Sequence, residues 1–378
     1  MNEPGPPGYG AGRTRQRTYQ KGANHMETPY VIRVMQETPT RLWINNPTLG
    51  ELRRGKDLQV VGATTNPTYS MKMLKNAEMG GRVREALRQV AAEHPGQPGG
   101  DLVIEVEKRL VGWLAEELLP IYRATGGERG LVAIQGNPIR DQDAAHMVRE
   151  ALELFEIAPN IIVKVPGNRV GLEAFRELTA MGKNLIVTSC VSLSQEAAYL
   201  RAYEEVHGKG NKGPLLFVTT LAGVIYDYTN AYCKDHGLAP DPDLFGCAGD
   251  EFSKRSYAMW KRHGFPGRLM GGGARTCSNF TELVAGEMDA TLGCSLLEKL
   301  NEENVPITSR VEQLASDAVM EKLYGLLPYY RGSCTEDALN PEDFDQFPPY
   351  RFFHDSFVKA WQYVSDEIES ERHRMHVR

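Results

Sequence analysis

Eight short apolar runs set the limits on how this chain can fold. They are RLWIN (Arg41–Asn45), VVGATT (Val60–Thr65), LVAIQG (Leu131–Gly136), IIVKV (Ile161–Val165), LIVTS (Leu185–Ser189), LLFVTT (Leu215–Thr220), RLMGGG (Arg268–Gly273) and DATLG (Asp289–Gly293). Runs this short, β-branched and apolar on both faces, are strands of a parallel sheet covered by helices. The segments between them carry helical periodicity. In DQDAAHMVREALELF (Asp141–Phe155), Ala144, Met147, Val148, Ala151 and Leu152 recur at helical spacing behind Asp141 as N-cap, and SQEAAYLRAYEEV (Ser194–Val206) is a second such stretch. Alternating strands and helices imply an α/β chain, and eight strands close a (β/α)8 TIM barrel of roughly 250 residues. An open doubly wound sheet is the alternative, but the first strand-to-helix turn has no GxGxxG phosphate loop.

The remaining length divides around that barrel. Residues 1–30, rich in Gly and Pro with several basic residues, read as a disordered leader or an early start ahead of Met26, and they lack the apolar core of a signal peptide. Residues 31–310 hold the barrel, with a helical insertion over about 79–128 that packs outside the second and third strands. Residues 311–378 form a C-terminal helical extension, including FFHDSFVKAWQYVSDEI, which folds back over one end of the barrel. A net charge of -6 gives no footprint for nucleic acid, and no apolar run spans a bilayer. A small anionic substrate therefore needs a local basic pocket. Six cysteines without CxxC spacing and nine histidines without an HExxH pair imply reduced thiols, a cytoplasmic setting and no structural metal.

In such a barrel the chemistry gathers at the carboxyl ends of the strands. Those ends carry Asn45 and Asn46, then Thr64, Thr65 and Asn66, then Gln135 and Asn137. The later strands carry Lys164, Thr188 and Ser189, Thr219 and Thr220, and Arg275. Lys164 is the outlier, an ammonium in a strand that otherwise reads as fully buried. Among neutral groups such a lysine loses its proton easily, and the free amine condenses with a carbonyl carbon. The bland reading has its stem in the wall and its ammonium escaping to solvent.

The sequence resembles the transaldolase family, including its fructose-6-phosphate aldolase-like branch, over most of residues 40 to 365. The motifs are TTNPTYSMKML after the second strand, NIIVKVPGNRVGLEAFRELTAMG around the lysine, VTSCVSLSQEAAYL after the fifth strand, and RLMGGGARTCSNFTELVAG around the seventh. The tail from EDFDQF to FFHDSFVKAW is similar as well. The resemblance implies a class I aldolase mechanism that uses no metal and no cofactor, with Lys164 as the Schiff-base lysine on the fourth strand. It further implies Thr188 as the active-site threonine, Asn66 as the asparagine of the TTNP turn, and Arg275 as a residue that holds a sugar phosphate. Thr65, Asn46 and Tyr226 complete the expected substrate-binding set.

The departures from the family pattern are specific. Its first-strand aspartate falls at Asn45, or at Asn46 with a one-residue slip, and its third-strand glutamate falls at Gln135. An asparagine falls at Ile186, a serine at Thr219, and a second phosphate-binding arginine at Val224. Amides do not cycle protons near neutral pH as carboxylates do. Proton transfer then passes to a water held by Asn45, Gln135 and Thr188, or to Tyr69, Tyr226 or Tyr228.

The expectation is a Lys164 imine that makes or breaks a C–C bond on a sugar, sugar phosphate or other small carbonyl compound, recruited to a specialised biosynthetic pathway. The alternative is a non-catalytic barrel acting as a binding or regulatory module. A nucleotide or flavin oxidoreductase has only the GGGAR run in its favour. Oligomeric state stays open; members of the family commonly associate, and the C-terminal helices offer a contact surface.

Overall fold

Each apolar run forms a strand, trimmed where the backbone turns away. The computed structural model describes residues 28–210, 213–239 and 241–376, so positions 1–27 of the expected leader lie outside the described residues. The strands are β1 Arg41–Asn45, β2 Gly62–Thr64, β3 Leu131–Gln135, β4 Ile161–Pro166, β5 Leu185–Thr188, β6 Leu216–Thr220, β7 Arg268–Gly271 and β8 Asp289–Leu292. They are parallel and close in sequence order, with Arg41 of β1 opposite Asp289 of β8. β5 stops at Thr188 because Ser189 takes φ 64°, and the glycines after β7 leave the sheet through Gly273 at φ 64°.

The period of two along each strand sorts the barrel interior into layers. Trp43, Ala133, Ile162, Ile186, Phe217 and Met270 make a compact apolar plug. Below it, buried Asp289 receives the Trp43 indole N–H at 2.6 Å and the Arg268 Nε at 2.6 Å, which supplies the partners a buried carboxylate needs. Trp43 fits only because β2 opens with Gly62, where a Cβ would lie 2.7 Å from its ring and against the Leu131 carbonyl. One step above the plug the interior turns polar. Outward positions such as Val163 and Val165 join the larger cluster under the helices.

The insertion consists of helices Gly80–Glu93 and Gly99–Ala124, between β2 and β3. The tail forms helices Asp317–Leu326 and Pro328–Cys334, a 3-10 turn, and the 29-residue helix Pro348–His376. That last helix lies on both insertion helices and touches helices Tyr69–Lys75 and Ala222–Asp235. Trp361, fully buried, donates to the Gly100 carbonyl at 2.8 Å, and Glu369 accepts from the Gly99 amide at 2.7 Å.

One cap differs from expectation. The helix after β3 begins at Ala144, and Asp143 caps it by accepting the His146 amide at 2.9 Å. Asp141 is held back in the turn behind Pro138, where its carboxylate meets His354 at 3.0 Å. No helix among the described residues is long and apolar enough to cross a membrane.

Candidate functional site

Lys164 faces the barrel interior, two positions above Ile162 of the plug and paired in register with Gln135 on β3 and Ile186 on β5. It is 8% exposed, and its Nζ donates to the Thr65 carbonyl at 2.9 Å. Among the described residues no carboxylate pairs with it. Desolvation alone lowers its pKa from the ordinary 10.5 to about 8. The Thr65 carbonyl fixes where the nitrogen points without stabilising its charge as a carboxylate does.

Around it the strand period assembles a neutral polar layer of Asn45, Thr64, Gln135, Thr188, Thr219 and Thr291. Thr64 Oγ1 contacts Thr291 Oγ1 at 2.6 Å and Asn45 Oδ1 at 3.2 Å. A hydroxyl has one proton, so the order is Thr291 to Thr64 to Asn45, which leaves the Asn45 amide N–H groups for a guest. Gln135 and Asn46 are both buried, and the Gln135 Oε1 and both side-chain polar atoms of Asn46 lack protein partners. Asn46 reaches this place through φ 48°, a left-handed conformation that asparagine tolerates better than most residues. Unmet polar atoms inside a protein carry a cost unless a bound molecule satisfies them. Thr219, beside the Cys190 thiol, and Thr188 are buried in the same layer.

Not every expected residue joins. The Thr65 hydroxyl turns outward and donates to the Ala133 carbonyl at 2.9 Å, so Thr65 contributes its own carbonyl and not its side chain. Asn66 uses its Oδ1 to accept the Thr68 amide at 3.0 Å and hydroxyl at 2.7 Å, closing the turn that launches helix Tyr69–Lys75. Arg275 is held by Asp227, with both Nε and Nη2 within 2.8 Å of one carboxylate oxygen, and its Nη1 donates to the Gly273 carbonyl at 2.7 Å.

Tyr226 lines an outer cleft of about 1050 Å³ with Asp250, Lys254 and Glu282, which does not include Lys164. The Tyr69 hydroxyl donates to the Pro47 carbonyl at 2.9 Å, and Tyr228 packs against Tyr329 and Phe352. A narrow cavity touches Gln135 and Lys164. It starts at the loop after β3, at Gly136, Asn137 and Pro138, and runs between sheet and helices past Met147, Leu154, Val163 and Leu178.

Two residues were missed from sequence. Thr291 had a readable signal, since β8 must present it in the same layer. Glu107, from the insertion, had none. Its carboxylate is buried and accepts the Ser70 amide at 3.1 Å and hydroxyl at 2.6 Å, anchoring the helix that follows Asn66, and burial raises its pKa to about 7.

Comparison with known proteins accords with this architecture. The chain is 33% identical over 178 residues to a transaldolase of Saccharopolyspora erythraea, an alignment covering 46% of each chain. It is 28% identical over 182 residues to a transaldolase of Thermobifida fusca, covering 46% of this chain and 48% of that one. For an Arthrobacter transaldolase the figures are 26% over 217 residues, 54% and 56%. The chain thus spans about half the length of the curated relatives it matches. The sequence profile described as Transaldolase/Fructose-6-phosphate aldolase matches residues 42–328, all eight strands except the first residue of β1, and the chain belongs to that family.

Proposed function

We propose that this protein is a transaldolase-like enzyme that makes or breaks a C–C bond of a small carbonyl compound through an imine on Lys164. The observation that carries the reading is the Lys164 amine, desolvated, facing the barrel interior and without a carboxylate partner among the described residues. With a pKa near 8, roughly a tenth of it is uncharged at pH 7, against fewer than one in a thousand for an ordinary lysine.

The free amine adds to the carbonyl carbon, and the carbonyl oxygen leaves as water once protonated. The resulting iminium draws electrons from the bond between its α and β carbons; that bond breaks to leave an enamine on Lys164, while the β-hydroxyl gives its proton to a base and becomes the carbonyl of the released fragment. Asn45 and Gln135 hold and orient polar groups but do not accept that proton at neutral pH. A water in contact with Asn45, Gln135 and Thr188 moves it, and the same water serves the reverse addition. The substrate class is a sugar or sugar phosphate, as the names of the relatives suggest, and the replacement of two carboxylates by amides favours a specialised reaction over ordinary three-carbon transfer.

Borohydride trapping with small ketoses, read by intact mass and peptide mapping, tests the reading. The expected result is one reduced adduct on Lys164, absent from Lys164→Met. No adduct with any carbonyl donor, or an adduct on another lysine, leaves the barrel as a binding module.

A further inference from the structure

Gln135 and Lys164 pair across neighbouring strands, and the loops that follow those strands are held by residues far away in the chain. Under the loop after β3, buried Glu150 accepts the Asn137 amide at 2.8 Å, and a Cβ at Gly136 would overlap its carboxylate. At the far end of the loop the Asp141 carbonyl accepts the side-chain amide of Asn168 at 3.3 Å. Asn168 is the N-cap of helix Arg169–Ala180, which follows β4. The two loops are therefore joined through the backbone of Asp141.

The C-terminal extension grips the same place. His354, near the start of helix Pro348–His376, turns its Nε2 toward two acceptors, the Asp141 carboxylate at 3.0 Å and the Pro138 carbonyl at 3.1 Å. Its ring lies nearly parallel to that of Tyr350, centroids 5.9 Å apart. Just before this helix, Asp345 accepts the Gln142 side-chain amide at 2.9 Å and the Arg169 amide at 3.4 Å. The tail thus spans both loops, and it does so with an imidazole, the side chain whose ordinary pKa lies near neutrality.

Burial opposes the imidazolium, but the Asp141 hydrogen bond and charge, then the Pro138 carbonyl and Asp355 on the same helix, outweigh it and raise the His354 pKa above the ordinary 6.5. Protonated His354 meets Asp141 as an ion pair, whereas neutral His354 keeps a plain hydrogen bond through the same nitrogen. The grip is complete below pH 6.5 and weakens as pH rises through the folded value.

We propose that His354 is a positioning residue: through Asp141 and Pro138 it holds the loop after β3, with Gln135 at its base, against the loop that follows Lys164 on β4. The assignment rests on the Lys164 reading for its catalytic consequence, but not for the contact itself.

Two measurements on the full-length protein between pH 6 and pH 9, each expressed as variant over parent, test it. Hydrogen–deuterium exchange of the peptide 136–143 reads opening of the loop, and the rate of borohydride trapping with dihydroxyacetone reads the site. His354→Gln keeps a neutral donor. At pH 6 its exchange is expected to be about three- to tenfold faster than the parent and its trapping about three- to tenfold slower, the size of one charge pair. Both ratios should return to one by pH 9, where the parent imidazole is neutral as well. Asp141→Asn, which removes the other charge, should repeat the pattern. A contact that serves stability alone leaves the trapping ratio at one at every pH, and that result overturns the assignment; so do ratios that do not vary with pH. A parent that forms no adduct yet shows the pH-dependent exchange discards the imine and keeps His354 as the residue that holds the loop.

Discussion

Lys164 Nζ stands 2.9 Å from the carbonyl of Thr65, the residue that follows β2. That contact orients the amine yet leaves its charge unpaired, and the folded-state pKa of about 8 lies below the ordinary 10.5. The unfolded chain therefore binds more protons between those values, and the stability of the parent rises with pH across that window. Lys164→Met is expected to be more stable than the parent by about 2–3 kcal/mol at pH 7, a gap that closes by about pH 10.5. Urea titrations of both proteins at pH 7 and pH 10 check this.

Glu107 gives a pH dependence of opposite sign. Its folded pKa, about 7, is raised above the ordinary 4.5, so the folded protein holds a proton that the unfolded chain releases. Its contribution is complete below pH 4.5 and is lost as pH rises through 7, on the order of 3 kcal/mol in total. Glu107→Gln keeps an acceptor for Ser70 and removes the titration. The variant is expected to show a flatter melting temperature between pH 5 and 8, measured by calorimetry.

Gln135 and Lys164 face each other on adjacent strands. Gln135→Glu places a carboxylate beside the amine, favours the ammonium and raises its pKa by about one to three units. The pH at which borohydride trapping reaches half its maximum should move above the parent value near 8 by that amount. The new carboxylate is also a stronger base than the water it replaces as proton carrier, and C–C cleavage at pH 9 should rise about a hundredfold in the same variant.

Gly62→Ala sets a Cβ against the Trp43 ring and the Leu131 carbonyl, neither of which has room to retreat from the barrel centre. The expected cost is about 1–3 kcal/mol, read as a lower urea midpoint with an unchanged slope.

The helix cap after β3 shows where local reading reached its limit. Asp141 and Asp143 both precede the apolar period, and sequence preference does not separate them. His354, more than two hundred residues away, pairs with Asp141 and leaves the capping to Asp143. Tyr226 shows a related limit. Position near a strand end says that a residue is close to the mouth but not which side of its helix faces it, and Tyr226 turns to the outer cleft.

The sequence by itself determined the strand count and the closed barrel that eight such strands allow, and it set Asn45, Gln135, Lys164, Thr188 and Thr219 at strand ends, without separating them from neighbours such as Asn46, Ser189 and Thr220. A strand alternates its faces every residue, so one buried position fixes its neighbours two away. Only the tertiary structure decided that Thr65 offers a carbonyl and not a hydroxyl, that Asp227 occupies Arg275, and that Glu107 anchors the helix that follows Asn66. Those outcomes depend on pairings between distant segments, where position along the chain no longer tells which polar groups meet.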